Sequence, residues 1–147
     1  MIIFSGVIMQ DIRTDEFKGA SVDYVATELT KIMIEKKALD VRLYEVQSEN
    51  PITSYYINVT GRSLTHVASL ADDLVYLAEL RGKQPLHTEG KRGVGWILVD
   101  FGDVIVNIFD KESREFYNFD RLLSAESEID IKPLVDEVDE KMKTAKE

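Results

Sequence analysis

The chain of 147 residues contains no cysteine, which excludes disulfide staples and thiolate catalysis and suits a reducing compartment. Its only histidines are His66 and His87. Neither has a second histidine or a cysteine at zinc-ligand spacing, so both read as structural. No serine lies in a Gly-x-Ser-x-Gly elbow, which leaves no nucleophile motif of that kind. No apolar run approaches the ~20 residues of a membrane span. The apolar opening Met1–Met9 lacks a basic start and a small-residue cleavage site, and Asp11 follows at once. The expectation is a cytoplasmic protein with no membrane association.

Positive charge is also scarce, with 18 basic against 27 acidic residues and a net charge of −9. Such a chain is repelled by a phosphate backbone, so non-specific nucleic-acid binding is disfavoured. Two readings of the acidity stay open: solubility alone, or attraction to a basic protein partner. Hydrophobic residues at 44% are ordinary for a globular protein, and this length suits one domain with some tail. A chain of this size buries roughly 70% of its unfolded surface and can hold a core without staples.

Residues 1–18 show no clear period and read as an extension with room for one short strand. Ser21 is a good helix cap, and Val22, Val25, Ala26, Leu29, Ile32 and Met33 follow at helical spacing. Leu39, Val41 and Leu43 alternate with Asp40, Arg42 and Tyr44 as in a strand. A turn is expected at Ser48-Glu49-Asn50-Pro51, then a strand from Tyr55 to Thr60 ended by Gly61. Ser63 can cap a long helix that carries Leu64, Val67, Leu70, Ala71, Leu74, Val75 and Ala78 and stops at Gly82. Pro85–Glu89 reads as a short strand before the turn-prone Gly90-Lys91-Arg92-Gly93. Gly95–Val99 and Val104–Phe109, joined by Asp100-Phe101-Gly102-Asp103, predict an antiparallel hairpin. Asp110 can cap a helix through about Leu123, with Phe116, Phe119, Leu122 and Leu123 as its apolar set. From Ser124 onward there are eight acidic residues and four lysines, with a thin stripe of Leu134, Val135, Val138 and Met142, the pattern of a loosely docked or frayed helix. The order of elements predicts an α/β domain: a mixed sheet of about five strands with helices packed on it.

Trp96 is the single tryptophan. A tryptophan within a strand belongs to the core or anchors an interface, where it buries a large rigid area and donates one hydrogen bond. Asp100 and Asp103 suit a plain turn, with Gly102 supplying positive φ, or an acidic rim around an exposed Phe101. Glu89 presents the same choice. Gly61-Arg62-Ser63 joins a strand to a helix and has some likeness to a phosphate-binding helix start, but a lone glycine with a capping serine mostly means a tight turn.

The run Glu89-Gly90 followed by Trp96-Ile97-Leu98-Val99-Asp100-Phe101-Gly102-Asp103-Val104-Ile105-Val106 resembles the signature of the Iojap, or ribosomal silencing factor, family. So does Glu112-Ser113-Arg114-Glu115-Phe116-Tyr117, while Ala38-Leu39-Asp40-Val41, Thr60-Gly61-Arg62-Ser63 and Ala71-Asp72 match earlier landmarks in order and spacing. The resemblance runs from about Gly19 to Ser124, leaving 1–18 as an N-terminal extension and 125–147 as an acidic tail. Ser54 and Asn107 depart from it, where the family usually has aspartate and often has histidine; each departure is expected to weaken a local polar contact.

The resemblance implies a nucleotidyltransferase-like fold without that chemistry and with no cofactor. It also implies docking on the large ribosomal subunit through its fourteenth protein, a basic protein at the subunit interface. Docking there would exclude the small subunit and repress translation under nutrient limitation. Self-association as a homodimer is left open. With the resemblance, Trp96, Asp100, Phe101, Gly102, Asp103 and Glu89 become the expected partner-binding residues. The competing expectation is a nucleotidyltransferase-like enzyme that uses Gly61, Ser63, Asp100 and Asp103 around a nucleotide and Mg²⁺. No strand carries aspartates at alternate positions to share such an ion, which weighs against it.

Overall fold

A computed structural model describes residues 12–49 and 51–146. The first helix, α1 (Val22–Glu35), starts where the Ser21 hydroxyl accepts the Tyr24 backbone N–H at 3.4 Å. Its helical period buries Val25, Ala26, Leu29, Ile32 and Met33. Strands β1 (Leu39–Glu45) and β2 (Tyr55–Gly61) pair antiparallel. Asn50, in the expected turn between them, and Met1–Asp11 lie outside the described residues. Helix α2 (Leu64–Leu80) begins at the Ser63 cap and ends with Gly82 at φ +98°, a conformation open to glycine at no steric cost. Then follow β3 (His87–Glu89), the hairpin of β4 (Trp96–Asp100) and β5 (Val104–Asp110), and α3 (Lys111–Tyr117), capped by Asp110.

The described strands form a six-stranded sheet in the order β3-β4-β5-β2-β1-β6, where β6 is Glu128–Ile129. The central β2 and β5 run parallel, and every other neighbouring pair of the described strands is antiparallel. This is the mixed α/β sheet read from the sequence, one strand larger than expected. The sixth strand and α4 (Lys132–Lys146) come from the acidic C-terminal stretch, which packs on the domain: α4 lies on α1, and Val138 is buried. At the other end, residues 12–18 form turns rather than a strand, and Phe17 is buried under the Arg81 guanidinium, 4.4 Å above its ring.

Strand alternation divides the sheet into two unlike faces. Ile57, Val59, Ile97, Val99, Val106 and Ile108 share one face with the buried residues of α1 and α2. Each fully buried aliphatic side chain there contributes about 1.5–3 kcal/mol. Gly61 is needed for this packing, because a Cβ on it would come within 2.8 Å of the Val67 side chain and 2.9 Å of its amide. The other face carries Tyr44, Tyr56, Asn58, Thr60, Trp96, Leu98, Asp100, Ile105, Asn107 and Phe109. Among the described residues, only α3 and a 3₁₀ turn at Phe119–Leu122 reach over it, and they leave the β3–β4 side open.

One expected element is shorter than its sequence pattern suggested. The helix capped by Asp110 stops at Asn118, whose φ of 49° is left-handed and breaks the helical period. Phe116 and Leu122 therefore do not line a buried stripe; they are 79% and 76% exposed. Phe119 reaches back to the sheet, edge-on to Tyr56 with ring centroids 5.2 Å apart.

Candidate functional site

Trp96 is half-buried at the open side of the second face. Its indole lies 4.9 Å, centroid to centroid, from both Phe109 and Tyr117, and Tyr117 meets Phe116 at 5.0 Å. With Tyr117 54% and Phe116 79% exposed, a continuous aromatic surface runs from the strand outward over α3. Between Trp96 and the β3 edge is a shallow hollow lined by Glu89, Val94, Trp96, Leu98 and Tyr117. Sequence reading found Trp96 and Glu89 but missed Leu98 and Tyr117. The alternation already placed Leu98 beside Trp96, whereas Tyr117 reaches the site only because Asp110 turns the chain back into α3.

Beneath the indole runs a chain of hydrogen bonds across the sheet. Trp96 Nε1 donates to Asn107 Oδ1 at 3.0 Å, and Asn107 Nδ2 donates to Asn58 Oδ1 at 3.1 Å. Asn58 Nδ2 then donates to Asp120 Oδ1 at 3.0 Å, where the Tyr44 hydroxyl also donates at 2.9 Å. Arg114 closes the far end: Nε donates to Asp120 Oδ2 at 3.0 Å, and Nη1 to the Asp40 carbonyl at 2.7 Å and Thr60 Oγ1 at 2.9 Å. Asn58 and Asn107 are fully buried, and among the described residues no buried side-chain polar atom lacks a partner. Burial pushes the Asp120 carboxyl up, but hydrogen bonds from Arg114 and Asn58 more than offset it, and the net shift is downward. Burial, with Asp120 beside it, raises the Tyr44 phenol to about 12. Asn107, expected as a weakening departure, instead holds both amide ends in hydrogen bonds. The signal for this network was present as two asparagines inside otherwise apolar strands.

The hairpin turn mixes confirmation with correction. Asp100 Oδ1 accepts the Gly102 N–H at 2.7 Å while Gly102 adopts φ +91°, which is the plain turn chemistry. Asp100 also faces His87, whose Nδ1 is 3.6 Å from Oδ2, and Glu89 lies 3.3 Å from the same ring at Nε2. Asp103 is exposed, and its carboxylate has no partner among the described residues, though its carbonyl accepts the Ser54 and Tyr55 amides. Phe101, expected to be exposed inside an acidic rim, is 3% exposed and belongs to the core. The reason is alternation: one residue past Asp100 the side chain returns to the face of Ile97 and Val99, and Phe101 N–H closes the turn on Val104 O.

The residues of the enzymatic alternative do not converge. Gly61 pairs with Asp110 at one end of the β2–β5 ladder, while Asp103 lies beside the Tyr55–Val104 pair at the other. Six strand steps of ~3.3 Å separate those ends, about 20 Å. Ser63 is already committed, its hydroxyl accepting the His66 N–H at 3.0 Å. His66 is structural too, its Nδ1 accepting the Arg62 N–H at 2.9 Å. Among the described residues no group of three or more His, Asp or Glu side chains is arranged to hold a metal ion, and no helix is long and apolar enough to cross a membrane.

The fold and this face define a mixed-sheet α/β domain with one sealed apolar face and one open aromatic face. A family model described as ribosomal silencing factor during starvation matches residues 20–147, and the chain belongs to that family. Ribosomal silencing factor RsfS of Haemophilus influenzae is 34% identical over 86 residues, covering 58% of this chain and 84% of that protein. Its Bacillus subtilis counterpart is 31% identical over 88 residues, covering 60% and 75%. A more distant mouse relative, mitochondrial assembly of ribosomal large subunit protein 1, is 26% identical over 102 residues, covering 67% of this chain and 45% of that protein. A crystal structure of a Chromobacterium violaceum protein superposes with a TM-score of 0.67 at 22% identity, covering 71% of this chain and 87% of that one, and shares the fold. Membership gives the chain a ribosome-associated silencing role.

Proposed function

We propose that this protein docks on the large ribosomal subunit through that subunit's fourteenth protein and blocks joining of the small subunit. Translation falls as a result when nutrients are short, and the site of action is the cytoplasm. The observation that carries the reading is the open aromatic surface of Trp96, Tyr117 and Phe116, with Glu89 at its hollow, Asp100 farther along the same strand face and Asp103 exposed at the far end of the hairpin. An apolar centre with a charged border is the anatomy of a protein-binding patch. These carboxylates and the net charge of −9 suit the basic partner that the family resemblance implies. The name of the mouse relative, which concerns assembly of the ribosomal large subunit, points to the same subunit.

Sedimentation with purified subunits tests this. The protein is expected to travel with free large subunits and hardly with small subunits or joined ribosomes. Equal binding to joined ribosomes refutes it, because a factor that blocks joining cannot share its surface with the other subunit.

A further inference from the structure

We propose that the Asn58–Asn107 amide pair, oriented by the Asp120–Arg114 ion pair, is a positioning device that holds the Trp96 indole in its docking orientation before the partner arrives. The proposal rests on the reading of Trp96 as an anchor and adds the residues that set its geometry.

The hydrogen-bond chain has a direction. An ionised carboxylate only accepts, so the Asn58 group facing Asp120 must be its Nδ2. That turns Asn58 Oδ1 towards β5, where the Asn107 Nδ2 satisfies it. Asn107 Oδ1 is then left facing β4 and takes the indole N–H. Each amide orientation follows from the one before, and the first is fixed by Arg114, itself 8% exposed and bonded to Asp120, the Asp40 carbonyl and Thr60. Reversing any one amide would set donor against donor or acceptor against acceptor in a buried site, which costs more than a single lost bond.

Packing alone does not explain the arrangement. Asn is disfavoured in strands, and these two are in the central parallel pair, directly opposite each other in the register, at 0% exposure. Apolar residues would fill the same positions without needing partners. What the amides add is a defined acceptor under a half-buried ring that meets Phe109 and Tyr117 at tilts of 34° and 49°, contacts that carry no directional bond. The N–H is thereby spent inside the protein, so Trp96 offers a partner its apolar ring and no hydrogen bond. A side chain ordered in advance lowers the entropic cost of association.

The test uses the full chain, purified large ribosomal subunits, and the fact that Trp96 is the single fluorophore of its kind. Replacing both amides, Asn58→Leu with Asn107→Leu, removes the relay as a matched pair, which preserves the fold better than deleting one member. The expected result has three parts. Fluorescence anisotropy of Trp96 decays faster, emission moves to longer wavelength as the N–H turns to water, and association with large subunits slows roughly three- to tenfold with dissociation little changed. Asn107→Leu alone should show the same fluorescence change, and serves where the double variant fails to fold. A well-folded variant with a mobile indole and unaltered association overturns the proposal, as does an indole that stays fixed without the amides. Trp96→Ala separates the two layers: if it binds normally, the docking reading itself has failed; if it loses binding while the double leucine variant does not, only the relay has.

Discussion

Replacing Arg114 with methionine keeps the apolar stem and removes the charge that terminates the relay. Asp120 would then hold a carboxylate, 20% exposed, with Asn58 and Tyr44 as remaining donors, while the Asp40 carbonyl and Thr60 hydroxyl lose theirs. Breaking a buried pair by removing one partner costs about 3–5 kcal/mol. At this chain length that corresponds to a fall in melting temperature of roughly 10 °C. The pH dependence identifies the cause. In the native protein Asp120 is held below its ordinary value, so its contribution is full above about pH 4 and declines as pH falls further. Without Arg114 burial is opposed by Asn58 and Tyr44 alone and the downward pull weakens, so the variant draws less stability from this carboxylate at neutral pH. The gap between the two proteins therefore narrows as pH falls below about 4. Urea unfolding of both at pH 7 and at about pH 2 measures it. A loss under about 1 kcal/mol, or an equal loss at both pH values, refutes the assignment of Arg114 as the counter-charge of Asp120.

Other outcomes follow from the same structure. Trp96→Ala should weaken large-subunit binding by about 2 kcal/mol or more and leave circular dichroism near native, since the ring is half-buried on the open face. Phe17→Ala should cost about 3–5 kcal/mol of stability in a denaturant melt, and a cost near zero would mean residues 12–18 are not part of the folded unit. Because the Arg81 guanidinium holds the Glu16 carboxyl down at about 2, the difference in acid stability between Glu16→Gln and the native chain should disappear as pH falls from about 4.5 towards 2, as followed by acid titration. Charge reversal at Asp100 or Asp103 should slow association and flatten its salt dependence, whereas reversal at Asp139 or Glu140 should do little; equal slowing in stopped-flow mixing would leave only bulk charge.

Features set by neighbours in sequence were legible. Ser21, Ser63 and Asp110 each cap the helix that follows, and the β4–β5 hairpin forms around Gly102, because caps and turns depend on residues within a few positions. Phe101 was legible in principle, since simple alternation from Ile97 and Val99 places it in the core; its position in a turn drew the expectation towards solvent. Asn58, Asn107, Asp120 and Arg114 were not legible as a set. They come from β2, β5, a 3₁₀ turn and α3, and only the parallel register of β2 against β5 brings the two amides face to face. Asp120 reaches them because Asn118 takes a left-handed turn, which no helical periodicity announces. The docking of residues 12–18 was hidden for a similar reason: Phe17 has no periodic neighbours and is buried through contacts with α1 and α2.

The difference between the two sheet faces bears on the docking proposed for this domain. The face under α1 and α2 carries the main apolar core and supplies much of the burial that stability requires. The exposed part of the second face, at its Trp96 edge, is thereby left to answer another demand. A chain selected only to fold would cover that face with a full helix or fill it with polar groups exposed to water. Here it has neither. A short α3 of seven residues covers part of it, two buried amides cross it, and an aromatic surface reaches solvent at one edge. Buried polar chains add little net stability, and their better-supported benefit is a defined geometry. Geometry matters most where a rigid ring must meet a second surface, and in this chain the polar chain ends at that ring.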